Sequence, residues 1–307
     1  MNRLQVAVVG AGSFGQNHVR VLSSLEDVEL VAVVDPKTGG FGSLDDMLAA
    51  VKPDAAIVAT PTVTHEAIAS RLLEAGIDVL VEKPIADTSA AGQRLLELAE
   101  SRGRILQVGH LERFNPAVIA LEKVFNIPLF FEVHRMSMFT PRSLDIDVVL
   151  DLMIHDLDIV LSLTGAFPEE IRAAGISVLS PKVDIANVRL AFASGCVANL
   201  TASRVSTERV RKLRLFQPKE YLSLDYQKQE LTRIGVRGEK IGFESQNITP
   251  GEPLRLELLS FLDAVRHHTP PKVTGVQAVN ALRLAEAILV KIEEHARLVA
   301  RTLGSQP

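Results

Sequence analysis

Three side chains in this sequence have types and spacings suited to moving protons. Lys83 lies in Glu82-Lys83-Pro84, directly after the β-rich run Val79 to Val81, so it stands at a strand end rather than on an exposed helix face. A lysine there is partly desolvated, and burial or a neighbouring cation favours the neutral amine, which can share or relay the proton of a hydroxyl. The plainer reading is a surface lysine that caps a strand. Further along, Asp151, His155 and Asp158 fall within the run from Asp147 to Leu161 at spacings of four and three, which places them on one helical face. The rest of that helix is apolar, and carboxylates on so hydrophobic a helix are costly unless they pair or bind something. His155 is therefore a candidate base, with Asp151 as the group that orients its imidazole. Two other readings stand beside this one, a solvated polar face and a pair of metal ligands at i,i+4. No further His or Cys cluster completes a coordination shell, so no metal is expected. Asp156 lies off the stripe and is expected to be exposed.

These residues need a scaffold that brings strand ends together. The run Val6 to Gly15 places a G-x-G-x-x-G turn, Gly10-Ala11-Gly12-Ser13-Phe14-Gly15, between an apolar strand and a helix. Gly10 makes the tight turn, Gly12 lets a pyrophosphate approach the backbone, and Gly15 lets helix and strand pack closely. A second apolar run, Leu30 to Val34, ends at Asp35, 20 residues beyond Gly15. An acid about 20 residues on is where the adenosine ribose of a dinucleotide is bound. The Asp35 charge repels a 2′-phosphate, which favours NAD over NADP, with Lys37 softening the preference.

Strand runs at Leu4 to Val9, Leu30 to Val34, Ala55 to Ala59, Val79 to Val81 and Ile105 to Val108 alternate with helical patterns, which predicts a parallel sheet of βαβ units. Gly76 and Gly103 end helical patterns and are expected to be left-handed corners. Ligands bind beyond the carboxyl ends of such strands, so Gly10, Asp35, Thr60-Pro61, Glu82-Lys83-Pro84 and Gly109-His110 are expected along one edge. After Asn115-Pro116 the strands lengthen and alternate (Leu129 to Ser137, Asn187 to Phe192, Val197 to Ser203, Lys212 to Phe216), which predicts an antiparallel sheet. Two amphipathic helices, Leu254 to His267 and Val276 to Arg297, follow. The fold class is α/β, with a Rossmann parallel sheet in 1–115 and a second α/β domain in 116–307.

With 307 residues, 47% of them hydrophobic, and a net charge of −4, the chain can bury two cores and has no general attraction for nucleic acid or an acidic membrane. Its densest basic stretch, Arg204, Arg209, Arg211, Lys212 and Arg214, reads as a solvent-facing strand or as contacts to the phosphates of a nucleotide substrate. The single cysteine, Cys196, has no intrachain partner and reads as small and buried. No apolar stretch reaches the roughly 18 residues that span a bilayer. A cytoplasmic location is expected.

Together, Gly10 to Gly15, Ala59-Thr60-Pro61-Thr62 with His65, Glu82-Lys83-Pro84 and Asp151 to Asp158 resemble the Gfo/Idh/MocA oxidoreductase family along nearly the whole chain. The resemblance implies NAD held by Gly10, Gly12, Ser13, Phe14, Gly15, Asp35, Thr60, Pro61, His65, Glu82 and Lys83. It implies Lys83, Asp151 and His155 as the catalytic group beside the nicotinamide, and a large, mostly antiparallel open sheet that supports homodimers or homotetramers. Gly109 to Pro116 and Asp147 to Asp158 resemble members acting on UDP-linked amino sugars. That implies oxidation of a secondary hydroxyl at C3 of UDP-N-acetylglucosamine for 3-amino-sugar lipid A synthesis, with Lys83, Arg113, Asn115 and His155 touching the substrate. Helix capping and ion pairing are equal readings of Arg113 and Asn115. A dehydrogenase of a free sugar, inositol or diol and a non-catalytic NAD-binding regulator are the alternatives. One departure stands out: family members carry an additional helix and strand after the ribose-binding acid, whereas here Pro36 to Gly42 leads almost directly into Ser43-Leu44-Asp45-Asp46. The adenosine side is expected to be more open for that reason.

Overall fold

The computed structural model describes residues 3–38, 40–140, 146–237 and 240–304. Strands and helices alternate through the first part of the chain: β1 (Leu4–Val9), α1 (Gly15–Ser23), β2 (Val28–Val34), α2 (Leu44–Ala50), β3 (Ala55–Val58), α3 (His65–Glu74), β4 (Asp78–Glu82), α4 (Ser89–Arg102) and β5 (Leu106–Gly109). The strands form one parallel sheet in the order β2-β1-β3-β4-β5. Helices cover both faces of such a sheet, so β3 and β4 are buried along their whole length; β3 is apolar throughout and β4 is apolar between Asp78 and Glu82. The helices start and stop where local chemistry directs. Ser43 and Thr88 cap α2 and α4 by accepting from the N–H groups of Asp46 and Ala91. Gly76 and Gly103 turn the corners after α3 and α4 at φ +77° and +58°, as the sequence implies.

The second sheet follows α5 (Pro116–Val124): β6 (Phe130–Met138), then α6 (Ile154–Thr164), β7 (Glu170–Ile176), β8 (Ile185–Ala191), β9 (Val197–Ser206), β10 (Val210–Gln217), β11 (Glu220–Asp225), β12 (Glu230–Arg237) and β13 (Lys240–Ser245). Its eight strands run β13-β12-β11-β10-β6-β9-β8-β7, and β6 with β9 is the parallel pair among antiparallel neighbours. Alternate residues such as Phe131, Val133, Val188, Leu200 and Leu213 point into one core. Leu157 and Val160 of α6 complete that core. The other face carries Glu132, His134, Asn187, Arg189, Asn199 and Thr201 around a shallow depression. Helices α7 (Pro253–His267) and α8 (Gly275–Gly304) end the chain.

The chain does not divide at residue 115 alone. One compact unit is Met1–Phe114 with Glu252–Val279, and the other is Asn115–Gly251 with Asn280–Pro307. The returning segment corrects the 1–115 and 116–307 division. Leu254, Leu258, Phe261, Leu262 and Val265 on one face of α7 join Val6, Val8, Leu22, Ile57 and Leu80 in the first core. An amphipathic helix settles on whichever apolar sheet face accepts it, and here that face belongs to the parallel sheet.

Candidate active site

The glycine turn after β1 is built as the spacing requires. Gly10 has φ +92°, and a Cβ there would lie 2.6 Å from the Ala59 carbonyl oxygen. A Cβ on Gly15 would lie 1.9 Å from the Gly10 carbonyl oxygen, so α1 can sit this close only without a side chain. At Gly12 nothing stands within 4 Å of an added Cβ. That open cradle lies beside the start of α1, which has neither a side-chain cap nor an acidic residue in its first turn. A bare helix start of this kind favours an anion. Ser13 and Phe14 are exposed on the same turn, and the Phe14 ring meets His18 edge-on at 5.4 Å. The residues fit a dinucleotide pyrophosphate.

Asp35 is tied to this turn more closely than its spacing reveals. Its Oδ2 accepts from the Ala11 N–H at 2.8 Å and its Oδ1 from the Lys37 N–H at 2.8 Å. These hydrogen bonds, Ala11 first, hold its carboxyl below the usual range. The side chain thus braces the glycine turn while each oxygen keeps acceptor capacity for a ribose hydroxyl. In the short connection that follows, Phe41 forms a parallel bridge to Val34 and donates its N–H to the Val33 carbonyl at 2.9 Å. Gly39 lies outside the described residues.

At the next strand ends, Thr60 and Pro61 follow β3, and Lys83 and Pro84 follow β4, all on the carboxyl edge of the parallel sheet. His65 is 1% exposed; its Nδ1 lies 2.9 Å from the Pro84 carbonyl and its Nε2 2.9 Å from the Thr60 carbonyl. It stitches the two strand-end loops together instead of facing outward. Glu82 is likewise turned inward, with Oε1 2.8 Å from His18 Nε2. Lys83 is half-buried beside it, and the Lys83–Pro84 peptide is cis. Arg113, 7% exposed, lies on the 3-10 turn Leu111–Phe114 after β5.

In the second unit the helix expected around Asp151 has a wide turn at its start. Val149–Met153 is π-helical, and the Ile154 N–H reaches back five residues to the Val149 carbonyl. Asp151 therefore belongs to the π turn and His155 to α6, so their four-residue step crosses a change of helical geometry and not one continuous α-helix. Both are half-buried. Wide turns of this type are frequent at functional sites. Asp158 is 2% exposed.

Asp156 corrects an expectation. It is 1% exposed, and its carboxylate takes two hydrogen bonds from Arg135 on β6, 2.6 Å from Nε and 2.9 Å from Nη2. A bidentate pair fixes orientation as well as distance, so it sets the rotation of α6 one residue beyond His155. The start of this segment is also pinned. Asp147 Oδ1 accepts from the Val183 N–H at 2.9 Å, and the Arg204 guanidinium donates to the carbonyls of Ile146 and Val183. Arg204 is thus buried and structural, unlike the exposed Lys212 and Arg214, which pair with Asp225 and Glu132. Asn115 caps α5. Its oxygen accepts from the Ala117 N–H and its nitrogen donates to the Tyr226 carbonyl, both at 3.0 Å, as the capping reading requires. Burial pushes the Cys196 thiol up to about 11, as befits a packing residue. Among the described residues no group of three or more His, Cys, Asp or Glu side chains is arranged to hold a metal ion, and no helix is long and apolar enough to cross a membrane.

Comparison with known proteins fixes the family of this arrangement. The Gfo/Idh/MocA model described as an oxidoreductase family with an NAD-binding Rossmann fold matches residues 4–110, and that of the family's C-terminal domain matches residues 125–221. The chain belongs to the Gfo/Idh/MocA oxidoreductase family. A UDP-N-acetylglucosamine 3-dehydrogenase of Acidithiobacillus ferrooxidans is 35% identical over 312 residues, covering 95% of this chain and 98% of that one. One crystal form of the UDP-N-acetylglucosamine 3-dehydrogenase GnnA from the same organism superposes with a TM-score of 0.90 at 34% identity, covering 96% of this chain and 99% of that one. An inositol 2-dehydrogenase of Saccharopolyspora erythraea is 30% identical over 187 residues, 53% of this chain and 54% of that one. This Gfo/Idh/MocA member is an enzyme, an NAD-dependent dehydrogenase by family.

Proposed function

We propose that this oxidoreductase oxidises the C3 hydroxyl of UDP-N-acetylglucosamine to the ketone. The observation that carries the reading is a likeness to the 3-dehydrogenase that runs through 95% of the chain and so includes both units. A bound nicotinamide would supply the acceptor for the hydride that leaves the carbinol carbon. Gly10, Gly12, Ser13, Phe14 and Gly15 hold the pyrophosphate at the start of α1, and Asp35 accepts from the ribose. Thr60, Pro61, His65 and Glu82 shape the strand edge on which the nicotinamide end rests. Lys83 or His155 takes the hydroxyl proton, and Asp151 orients the His155 imidazole. Arg113 contributes to the substrate side.

The ketone product is what an aminotransferase requires, so the reaction precedes 3-amino-sugar synthesis for lipid A. The enzyme acts in the cytoplasm as a homodimer or homotetramer. Exposed Val236, Ile241 and Phe243 on the β12–β13 hairpin support self-association. A dehydrogenase of a free polyol is the second reading, favoured by the inositol dehydrogenase likeness over 53% of the chain. Substrate carrying deuterium at C3 tests the assignment. Transfer of deuterium to the nicotinamide, with a primary isotope effect, is expected. Label retained in an oxidised sugar would remove C3 from the account.

A further inference from the structure

Beneath the strand edge that carries Lys83, four polar side chains are buried in an otherwise apolar layer. Leu80 and Ile105 pack there with residues of α1 and α7. Leu80 pairs with Gln107 and Glu82 with Gly109, so the pleat places Gln107 and Glu82 on that same face. His18 enters from α1, and Glu257 from α7 between Leu254 and Leu258. His18, Gln107 and Glu257 are 0% exposed and Glu82 is 8% exposed. Besides the His18 contact to Glu82, little satisfies them: His18 Nδ1, both polar atoms of Gln107 and both oxygens of Glu257 have no hydrogen-bond partner among the described residues. Protein interiors seldom leave so many polar atoms unmet around one carboxylate, and internal water occupies such closed polar places. Gly109 gives the Glu82 carboxylate its room, since a Cβ there would lie 2.9 Å from Glu82 Oε2.

We propose that Glu257 is a positioning residue. Through water shared with Gln107 and His18 Nδ1, it fixes the Glu82–His18 pair that ties the strand end at Lys83 to the helix opening at Gly15. The inference rests on reading Lys83 and the glycine turn as the cofactor half of the site. Glu257 acts as the neutral acid, because burial, and secondly the Glu82 charge, push its carboxyl well above the usual range. The neutral acid has an O–H to donate toward water at Glu82, whereas a carboxylate would add a second negative charge beside it. The elements packed against α7 bring His18 and Arg20 from α1, and Glu112 and Arg113 from the turn after β5. Arg20 is exposed and paired with Glu252. A leucine would suit the apolar face of α7 better than a glutamate, and local misfits of this kind are expected where function outweighs stability.

Infrared spectra and NAD calorimetry on the full chain test this. A protonated-carboxyl band at neutral pH is expected in the parent protein and absent in Glu257→Gln. Glu257→Gln, which keeps a neutral hydrogen-bonding group, should bind NAD within about twofold of the parent, and Glu257→Leu roughly tenfold more weakly without a lower Tm. Gly109→Ala presses on Glu82 directly and is expected to weaken NAD comparably. A parent spectrum without that band, or Glu257→Leu binding NAD as the parent does, overturns the inference. A simple packing role would instead lower Tm and NAD affinity together in both Glu257 variants. A parent protein that binds NAD but leaves the sugar nucleotide unoxidised refutes the proposed reaction and leaves these readouts standing.

Discussion

Gly12 and Gly15 lie three residues apart in one turn, yet the structure assigns them different losses on substitution by alanine. A methyl on Gly15 would stand 1.9 Å from a backbone carbonyl oxygen, where ordinary contact begins at 3.4 Å. The helix α1 would have to retreat by about 1.5 Å or the strand end deform. Overpacking of this severity against rigid backbone costs about 3 kcal/mol. At roughly 3 °C per kcal/mol for a domain of this size, Tm falls by about 10 °C. At Gly12 an added methyl meets no protein atom within 4 Å, so Tm should stay within about 1 °C of the parent. The same methyl fills the cradle, and losing one or two charge-assisted hydrogen bonds to the pyrophosphate costs about 3 kcal/mol, roughly 100-fold in Kd. Scanning fluorimetry without ligand and NAD titration calorimetry separate the two. Gly12→Ala binding NAD with parental affinity, or Gly15→Ala melting with the parent, would refute the reasoning.

Other perturbations probe the remaining parts. Lys83→Ala should abolish turnover while NAD affinity, read by calorimetry, changes little; equal loss of both would remove Lys83 from proton transfer. Asp156→Asn breaks the buried pair with Arg135 and should cost about 3 kcal/mol in urea unfolding, because the buried guanidinium loses the carboxylate charge that faces it. Burial raises the Asp184 carboxyl, but hydrogen bonds from the Ser180 hydroxyl and the N–H groups of Leu179, Val178 and Ser180 outweigh it and bring it down to about 2 from 3.8. The unfolded chain therefore holds that proton more tightly. Asp184 contributes about 2 kcal/mol that is complete above about pH 4 and lost as pH falls through about 2. Unfolding curves of Asp184→Asn should lack that acid-side decline, and an unchanged decline would show that another group causes it.

Much of the first unit was legible in the sequence because its signals are local. Buried parallel strands are continuous apolar runs bounded by glycine and proline, and the glycine turn and Glu82-Lys83-Pro84 sit at their ends. The strands β7, β11, β12 and β13 escaped notice because they are short or half-exposed and rich in charge, as in Glu220–Asp225 and Glu230–Arg237. Helix α7 was recognisable from its periodicity, but nothing in that period names the sheet it packs on, so its return to the first unit was hidden. Asp156 was misread for two reasons. The π turn interrupts the helical count, and its partner Arg135 lies 21 residues away on a strand. His18 offered one overlooked signal, an imidazole on the face of α1 that also buries Gly15, Val21 and Leu22.

Nicotinamide reduction, followed by absorbance with the purified protein, NAD and a transaminase to trap any ketosugar, tests the central claim most directly. Separate reactions would contain UDP-N-acetylglucosamine, free N-acetylglucosamine and inositol. Reduced cofactor forming with the UDP sugar alone is the predicted result. Reduction with a free sugar or inositol, and none with the UDP sugar, would contradict the account and make the protein a polyol dehydrogenase.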